Sequence, residues 1–465
     1  MGFLDALLSN LPEVRSPEQK KAGFKSKLKW TGIILVLYFV MNLVPLFGLG
    51  QNQLQRFEFL AIILGASFGS IFSLGIGPLV TGSIVLQLLN GAGIVKFDTK
   101  TKEGRARFSG VQKLMGFFFV VFEACIYVFM GGLAPAPELV GSSIFFVLQL
   151  MLIFQLILGG ILVMFMDEVI QKYGFGSGIS LFIAAGVSQE IFIRGLSPLP
   201  SPTNPTIATG ALPALIQSLS AGNPTEAMLQ LATIVATIVT FMVCIYFQSM
   251  KAEIPLSFGV VRGQGIRWPL NFLYTSNMPV ILVAALLANV QLWGRLLQNW
   301  GYPLLGEFGP TGNPISGLVY VISSPNMFHK AITGSLAPID GLQALLYIAV
   351  MAVGSLVFSW FWVQTSGMDA GAQAKQMLSS GLQIPGFRKD ARVLEKVLQR
   401  YIGPLTVMGG LTVGALAAFA DLTGALSRGT GILLAVMIIY KLYEDIARQH
   451  LMDMNPMMRK FMGRQ

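Results

Sequence analysis

The sequence predicts an all-α polytopic membrane protein with ten transmembrane helices in two halves. Of its 465 residues, 54% are hydrophobic and only 12% are charged, whereas about a quarter of the residues in a soluble domain are charged. Long runs such as 30–55 and 139–166 contain no charged residue at all. Charged and turn-forming residues divide the chain into ten apolar stretches that are long enough to be membrane spans.

These stretches define the expected organisation of the chain. A helix needs about 20 apolar residues to cross a bilayer. The predicted spans are 29–49, 58–92, 109–133, 142–166, 174–194, 226–250, 270–298, 340–365, 398–420 and 429–449. The expected regions are a cytoplasmic N-terminal segment (1–28), an N-terminal half (29–195), an outer hinge loop (196–225), a C-terminal half (226–449) with cytoplasmic loops at 251–269 and 366–397, and a cytoplasmic tail (450–465).

The second span contains a break at Gly75-Ile76-Gly77-Pro78. Glycine permits backbone conformations that a continuous helix does not need, and proline suits the first turn of a new helix. We expect a short helix near 58–70, a break at 74–77 and then a helix of about four turns. Because unpaired backbone groups are costly in lipid, this break must be buried in protein or line an aqueous path. Pro279 predicts a second break, in the seventh span.

Basic residues predict the orientation of the spans. All but five of the 32 Lys and Arg residues lie in the two terminal segments or in the loops after spans two, four, six and eight. The five exceptions are Arg56, Arg194, Arg295, Lys330 and Arg428. Because Lys and Arg favour the cytoplasmic side, both termini are expected there.

Few groups inside the spans can carry chemistry. Glu123 is the main ionisable residue in an apolar span, and it predicts either an ion site or, more simply, a hydrogen-bonded carboxyl at a helix interface. Asp167 and Glu168 lie at a span end and are expected to be solvated. Cys125 and Cys244 lie in separate spans and do not suggest a disulfide framework or a metal site. No GxxxxGK[ST] run is present to bind a nucleotide.

Polar residues in the spans allow two interpretations. Thr81 and Gln87 follow the break, and Asn289 and Gln291 lie in the seventh span. They predict either permanent structural contacts or hydrogen bonds between helices that separate reversibly.

Two aliphatic pairs, Ile76/Val80 and Ile179/Ile183, each have i, i+4 spacing and share a helix face. Any membrane helix has such pairs, so spacing alone indicates ordinary packing. Aliphatic side chains that converge from several helices would instead form a dewetted constriction.

Several motifs together resemble the SecY family in its archaeal form, the pore-forming alpha subunit of the Sec protein translocon. They are LGIGPLVTGSIVLQLL, YGFGSGISLFIAAGVSQ, KAEIPLSFGVVRGQG, SNMPVILVAALLANVQLWG and RGTGILLAVMIIYKLYE. The resemblance implies two pseudo-symmetric inverted five-helix halves around a central hourglass pore. It also implies a protein-conducting channel that translocates unfolded polypeptides and releases hydrophobic segments sideways into lipid through a lateral gate.

The resemblance assigns roles to particular residues. The implied pore ring consists of Ile76, Val80, Ile179, Ile183, Ile281 and Leu434. The implied plug consists of Glu58, Phe59, Leu60, Ala61, Ile62, Ile63, Leu64, Gly65, Ala66, Ser67, Phe68 and Gly69. Thr81, Gln87 and Asn289 match polar lateral-gate positions, and Lys251, Arg262, Arg267 and Arg388 match ribosome-binding loops.

The resemblance also implies partners and a location. The partners are small membrane subunits of the SecE/gamma and beta types, the ribosome, nascent polypeptides with signal sequences, and membrane lipids. No DNA, metal or cofactor is implied. The expected location is the plasma membrane, which the chain crosses several times. No catalytic activity is implied, so the energy for transport is expected to come from a partner.

Two other functional classes would need residues that the spans lack or nearly lack. An inverted-repeat secondary transporter for a small solute would need a polar or charged site at the membrane midplane, for which Glu123 is the main candidate. An intramembrane hydrolase would need a buried nucleophile and base, or paired aspartates, and the spans do not provide them.

Overall fold

The computed structural model describes residues 10–15, 17, 23–52, 66–91, 94–95, 97, 102–200, 207–258, 265–275, 277–309, 313–379, 382–383 and 390–454. Ten long helices lie within this part of the chain. They are α1 Phe24–Asn42, α2 Gly77–Gly91, α3 Lys102–Phe129, α4 Ser143–Tyr173, α5 Gly178–Leu196, α6 Pro224–Ser249, α7 Met278–Asn299, α8 Pro338–Thr365, α9 Ala391–Leu422 and α10 Gly429–Met454.

These ten helices correspond in order to the ten predicted spans. Among the described residues, seven helices, α3 to α9, are long and apolar enough to cross a bilayer by length and composition alone. The helix α2 is shorter because the chain before it is irregular. One end of α1 carries Lys25, Lys27 and Lys29, which reduces its mean hydropathy.

Shorter elements connect the spans. The short helices are Pro137–Leu139, Ala211–Ser220, Gly317–Val321, Met327–Ile332 and Ala370–Ser379. The strands are β1 Gln51–Asn52, β2 Leu133–Ala134, β3 Lys251–Phe258, β4 Gly265–Asn271 and β5 Leu382–Gln383. One antiparallel sheet joins β1 to β2, and a second has the order β4-β3-β5.

The seventh span begins later than predicted. It was expected over 270–298, but α7 begins at Met278 because the preceding chain forms β4 and a turn. Pro279 is the second residue of α7, where a missing backbone N–H costs nothing. The predicted break at Pro279 is therefore wrong, because this proline begins a helix.

The break in the second span is confirmed. Gly75 has a φ of 54°, a left-handed conformation that glycine adopts easily, and α2 begins two residues later. The predicted short helix at 58–70 is wrong at its end, since residues 66–70 form turns and a bridge. Residues 58–65 of the implied plug lie outside the described residues.

Backbone groups around the break find partners on neighbouring segments. The Ile71 amide donates to the Val44 carbonyl at 3.0 Å, and the Leu46 amide donates to the Gly69 carbonyl at 2.9 Å. The Gly69 amide donates to Ser73 Oγ at 2.9 Å. These hydrogen bonds replace the helical ones that the irregular chain lacks, as burial in a membrane protein requires.

Gly159 of α4 lies against this irregular segment. A Cβ at this position would lie 2.0 Å from the Ile71 carbonyl oxygen, whereas a Cβ at Gly341 of α8 would meet nothing within 4 Å. Because the obstacle is backbone, Gly159→Ala should lower the free energy of unfolding by about 1–3 kcal/mol. Gly341→Ala should be neutral or stabilising by up to about 1 kcal/mol, since alanine favours helix. Thermal unfolding of both variants in detergent checks this, and equal midpoints would contradict it.

Candidate functional site

The six residues of the predicted pore ring lie at the amino-terminal ends of four helices. Ile76 immediately precedes α2, and Val80 is its fourth residue. Ile179 and Ile183 are the second and sixth residues of α5, Ile281 is the fourth of α7, and Leu434 is the sixth of α10. The helix starts therefore converge from both halves of the chain on one region.

This region is a single apolar cluster. Ile76, Val80, Ile183, Ile281 and Leu434 are each at most 3% exposed, and all five belong to the same buried hydrophobic cluster. Ile179 is half-buried and packs against that cluster. The structure thus brings the six residues together, although their role stays a prediction.

A cavity of about 140 Å³ adjoins the cluster between the two halves. Val80, Ile179 and Ile281 line it together with Gln87 of α2 and Gln112 of α3. Because the start of α3 follows one basic loop and the end of α8 enters another, the cavity lies on the side of the basic loops.

A buried polar cluster joins the halves at α2, α3 and α7. Asn289 Nδ2 donates to Thr81 Oγ1 at 2.8 Å, and Thr81 Oγ1 lies 3.0 Å from Glu123 Oε1. All three side chains are buried, Glu123 completely. The predicted interhelical hydrogen bond is therefore present for Thr81 and Asn289.

Glu123 is a member of this cluster that the gate prediction omitted. The sequence interpretation of a hydrogen-bonded carboxyl at a helix interface is correct, but its link to Thr81 requires knowledge of how α2 packs on α3. Among the described residues, Glu123 Oε2, Asn289 Oδ1 and the Tyr127 hydroxyl make no hydrogen bond. A buried polar group without a partner costs free energy, so the cluster holds the halves together weakly.

Gln87 is not part of the cluster. It is buried and lines the cavity instead, and its Oε1 has no partner among the described residues. Ser83 lies nearby and accepts a 2.6 Å hydrogen bond from Gln112 Nε2. Gln291 donates to the Ile322 carbonyl rather than across the halves.

The expectation that Asp167 is solvated is wrong. It is 6% exposed and accepts hydrogen bonds from the start of α5, because α5 turns back against α4. Glu168 is also paired, with Lys113 and Lys172 at 2.9 Å each. Within the described residues, no group of three His, Cys, Asp or Glu side chains is placed to hold a metal ion.

The two long loops that are rich in Lys and Arg form one small folded unit. β3 and β4 of the first loop pair as a hairpin, and β5 of the second loop pairs with β3 through Ser257–Gln383 and Phe258–Leu382. A separate hydrophobic cluster supports this sheet with Ile254, Leu270, Tyr274, Met377 and Leu398 among its members.

Two of the four predicted ribosome-binding residues lie on the described part of this unit. Lys251 begins β3, and its Nζ lies 3.5 Å from Glu444 Oε1 in an exposed ion pair, which contributes little stability. Arg267 lies in β4 opposite Pro255. Arg262 and Arg388 lie outside the described residues.

Tyr274 fixes the unit to the end of α8. Its hydroxyl donates to the Met368 carbonyl at 2.7 Å. Burial raises the pKa of Tyr274 well above its usual value, with a smaller contribution from the negative charge of Asp369. The phenol therefore keeps its proton and remains a donor at physiological pH.

The similarity of this chain to known proteins decides its family. The family model for SecY matches residues 70–443 of this chain. The chain belongs to the SecY family. Protein translocase subunit SecY of Methanothermobacter thermautotrophicus is 44% identical over 99% of this chain and 98% of its own length. That of Pyrococcus furiosus is 43% identical, covering 97% of each chain.

Solved structures agree with this assignment. A structure described as a protein conducting channel superposes with a TM-score of 0.83 at 39% identity, covering 97% of this chain and 98% of its own. Sec61 in a canine ribosome–channel complex from the endoplasmic reticulum gives a TM-score of 0.80 at 38% identity, covering 97% and 98%. The fold is thus that of the SecY channels, a multi-pass membrane protein with ten spans in two inverted halves around a pore.

The bond between Thr81 and Asn289 should be measurable as a coupling. In a double-mutant cycle of Thr81→Val and Asn289→Leu, we expect a coupling energy of about 1 kcal/mol in the free energy of unfolding. Titration with a denaturing detergent in mixed micelles measures it. Gln291→Leu, two residues further along α7, is the matched control and should show no coupling to Thr81. Equal coupling for both pairs would contradict a direct bond.

Proposed function

We propose that the six-residue aliphatic cluster is the constriction through which this protein-conducting channel passes unfolded polypeptides. The observation that carries the proposal is the convergence of Ile76, Val80, Ile183, Ile281 and Leu434, from both halves, in one buried cluster. A collar of aliphatic side chains excludes water and offers ions no ligand, so it blocks their passage. Since aliphatic side chains make only non-directional contacts, the collar does not select among the residues that pass through it.

The plug is proposed to lie beside this collar. Of its residues, Ala66 packs against the cluster that contains the ring. The following segment is anchored by hydrogen bonds of Ser67, Ser70 and Ser73 rather than by a helix. A short segment held this way is suited to move aside without unwinding α2.

The lateral gate is proposed to open between α2 and α7. The polar contact across this edge is the bond from Asn289 to Thr81, backed by Glu123. Hydrogen bonds of this kind between membrane helices contribute on the order of 1 kcal/mol each. Transfer of a hydrophobic segment of about 20 residues from water to lipid is favourable by much more, at about 25 cal/mol per Å² of apolar area. Such a segment therefore has sufficient driving force to leave through this edge.

The loops rich in Lys and Arg are proposed to face the cytoplasm with both termini, by the positive-inside rule. There they would dock a ribosome, because basic side chains bind RNA phosphate. The supporting observation is that both predicted loops are built into one sheet, β4-β3-β5, with its own hydrophobic core. A solved relative of this chain, Sec61, is known in a ribosome–channel complex. Small subunits of the SecE/gamma and beta types are proposed as membrane partners.

The constriction predicts a leak when its side chains are shortened. Changing Ile76, Ile179 and Ile281 together to Ser should raise the ion permeability of resting proteoliposomes. The substitutions remove apolar volume from the collar, and the new hydroxyl groups allow water to enter it. Efflux of a trapped anion measures the effect.

The control for this experiment changes three aliphatic residues of α6 that are well exposed and so lie away from the cluster. Val235, Ile238 and Val239 are each about half exposed, and their change to Ser should leave the resting permeability as in the parent protein. A ring variant that is as tight as the parent would refute the constriction.

The docking surface predicts a salt-dependent loss of ribosome binding. Arg262→Glu and Arg388→Glu should each weaken binding, with the largest deficit at low ionic strength, where charges are least screened. Co-sedimentation with ribosomes across a salt series measures this. Lys25→Glu, which makes the same change in net charge at an exposed position of α1, is the control. Unchanged binding of both arginine variants at low salt would remove these loops from the docking role.

A further inference from the structure

Asp167 forms a buried link between α4 and the start of α5. Its Oδ1 accepts a 3.1 Å hydrogen bond from the Ile179 amide, and its Oδ2 accepts a 2.8 Å bond from Gln171 Nε2. The helix α5 has its own capping residue, Ser177, but the Ser177 side chain makes no capping hydrogen bond. The beginning of α5 is therefore held by a carboxylate from the neighbouring helix.

Asp421 forms the equivalent link in the C-terminal half. It lies near the end of α9, is 6% exposed, and accepts a 2.7 Å hydrogen bond at Oδ1 from the Thr430 amide of α10. Its Oδ2 accepts from the Thr430 hydroxyl and, at 2.5 Å, from the Tyr347 hydroxyl. The start of α10 is thus held by a carboxylate from the span before it.

The two links have the same geometry. In each half the fourth span supplies the aspartate, and the fifth span supplies the amide of its second helical residue. A ring residue, Ile183 or Leu434, follows that amide by four residues, about one helical turn further along. Each carboxylate, from the neighbouring helix, therefore holds the ring-bearing helix about one turn before Ile183 or Leu434; in α5 the bonded amide belongs to Ile179, which is itself a member of the ring.

Close packing makes each link rigid. A Cβ on Gly178, the first residue of α5, would lie 2.6 Å from Asp167 Cα. A Cβ on Gly429, the first residue of α10, would lie 2.0 Å from the Ala420 carbonyl carbon. Each helix thus begins in direct contact with the backbone of its neighbour, so its start cannot slide without breaking the hydrogen bond.

The charge of these aspartates also fits the location. A buried carboxylate is costly unless it is paired or hydrogen-bonded, and a helix start supplies both amide donors and a positive dipole end. The sequence carries the same pattern twice, as Asp167 followed after eight residues by GSGI and Asp421 followed after seven by GTGI.

We propose that Asp167 and Asp421 are positioning residues that set the height of Ile183 and Leu434 in the ring, one for each half. This proposal rests on the proposed function of the ring as the constriction. Loss of either carboxylate releases the start of the helix that carries the ring residue. Ile183 or Leu434 then shifts out of the ring while the overall fold is retained.

The test measures both the seal and the position of the ring residue. In full-length protein with Cys125 and Cys244 replaced by Ala, Leu434→Cys is labelled with a membrane-impermeant maleimide in proteoliposomes. Leu434 is 0% exposed, so labelling of the parent should be slow. Asp421→Ala removes the hydrogen bonds from the Thr430 amide, the Thr430 hydroxyl and the Tyr347 hydroxyl. It should raise the labelling rate and, with Leu434 intact, the anion leak by at least about tenfold, because the loss of even one buried hydrogen bond shifts a two-state equilibrium by roughly that factor.

Two further variants complete the experiment. Asp421→Asn keeps an acceptor oxygen and should restore most of the seal. Thr275→Val removes a different buried hydrogen bond, 3.1 Å to Ser359 Oγ, and should lower the thermal stability without leak or faster labelling. Parental labelling and leak in Asp421→Ala, or the same leak in Thr275→Val, would overturn the proposal. Because labelling reports the position of α10 directly, it tests the anchor even if shortening the ring causes no leak.

Discussion

The structure depends on satisfying the backbone hydrogen bonds of residues 66–76 without water. This segment is irregular, yet it lies among membrane-spanning helices, where lipid offers no hydrogen-bond partner to an amide or a carbonyl. Val44 and Leu46, which follow α1, and the side chains of Ser70 and Ser73 supply such partners, and glycine at position 159 leaves room for the Ile71 carbonyl. As a consequence, α2 can begin inside the protein, which places Ile76 and Val80 at the apolar cluster.

The two edges where the halves meet differ in chemistry. At one edge α2 contacts α7 through Thr81 and Asn289, beside a cavity. At the other edge α5 packs along α10 more extensively, and Ser427 donates to Glu190 at 2.6 Å. The edge with a cavity and unpaired polar atoms is the weaker one. The fold therefore distinguishes a more weakly held side, where the lateral gate is proposed, from a more extensively packed one.

Much of this architecture could be predicted from the sequence, because apolar length, loop charge and the glycine–proline break are local signals. The role of Pro279 could not, since a proline that begins a helix and one that breaks a helix look alike until the preceding strand is known. The burial of Asp167 and the pairing of Glu123 with Thr81 depend on which helices pack together. The ring residues could be named only through resemblance to a family, because i, i+4 aliphatic pairs occur on every membrane helix. The repeated Asp–Gly pattern is hard to recognise in the sequence, because α5 begins at the third residue of GSGI whereas α10 begins at the first residue of GTGI.

The pairing of β3 with β5 has a mechanical consequence. The strand β3 follows α6, β4 leads into α7, and β5 lies between α8 and α9. The spans α6 to α9 are therefore all connected to the same three-stranded sheet. A large particle that binds this sheet would pull on four helices of the C-terminal half at once and would transmit little torque to α1–α5. Traction from outside the membrane would thereby act on these four spans together, instead of being lost in the bending of separate loops.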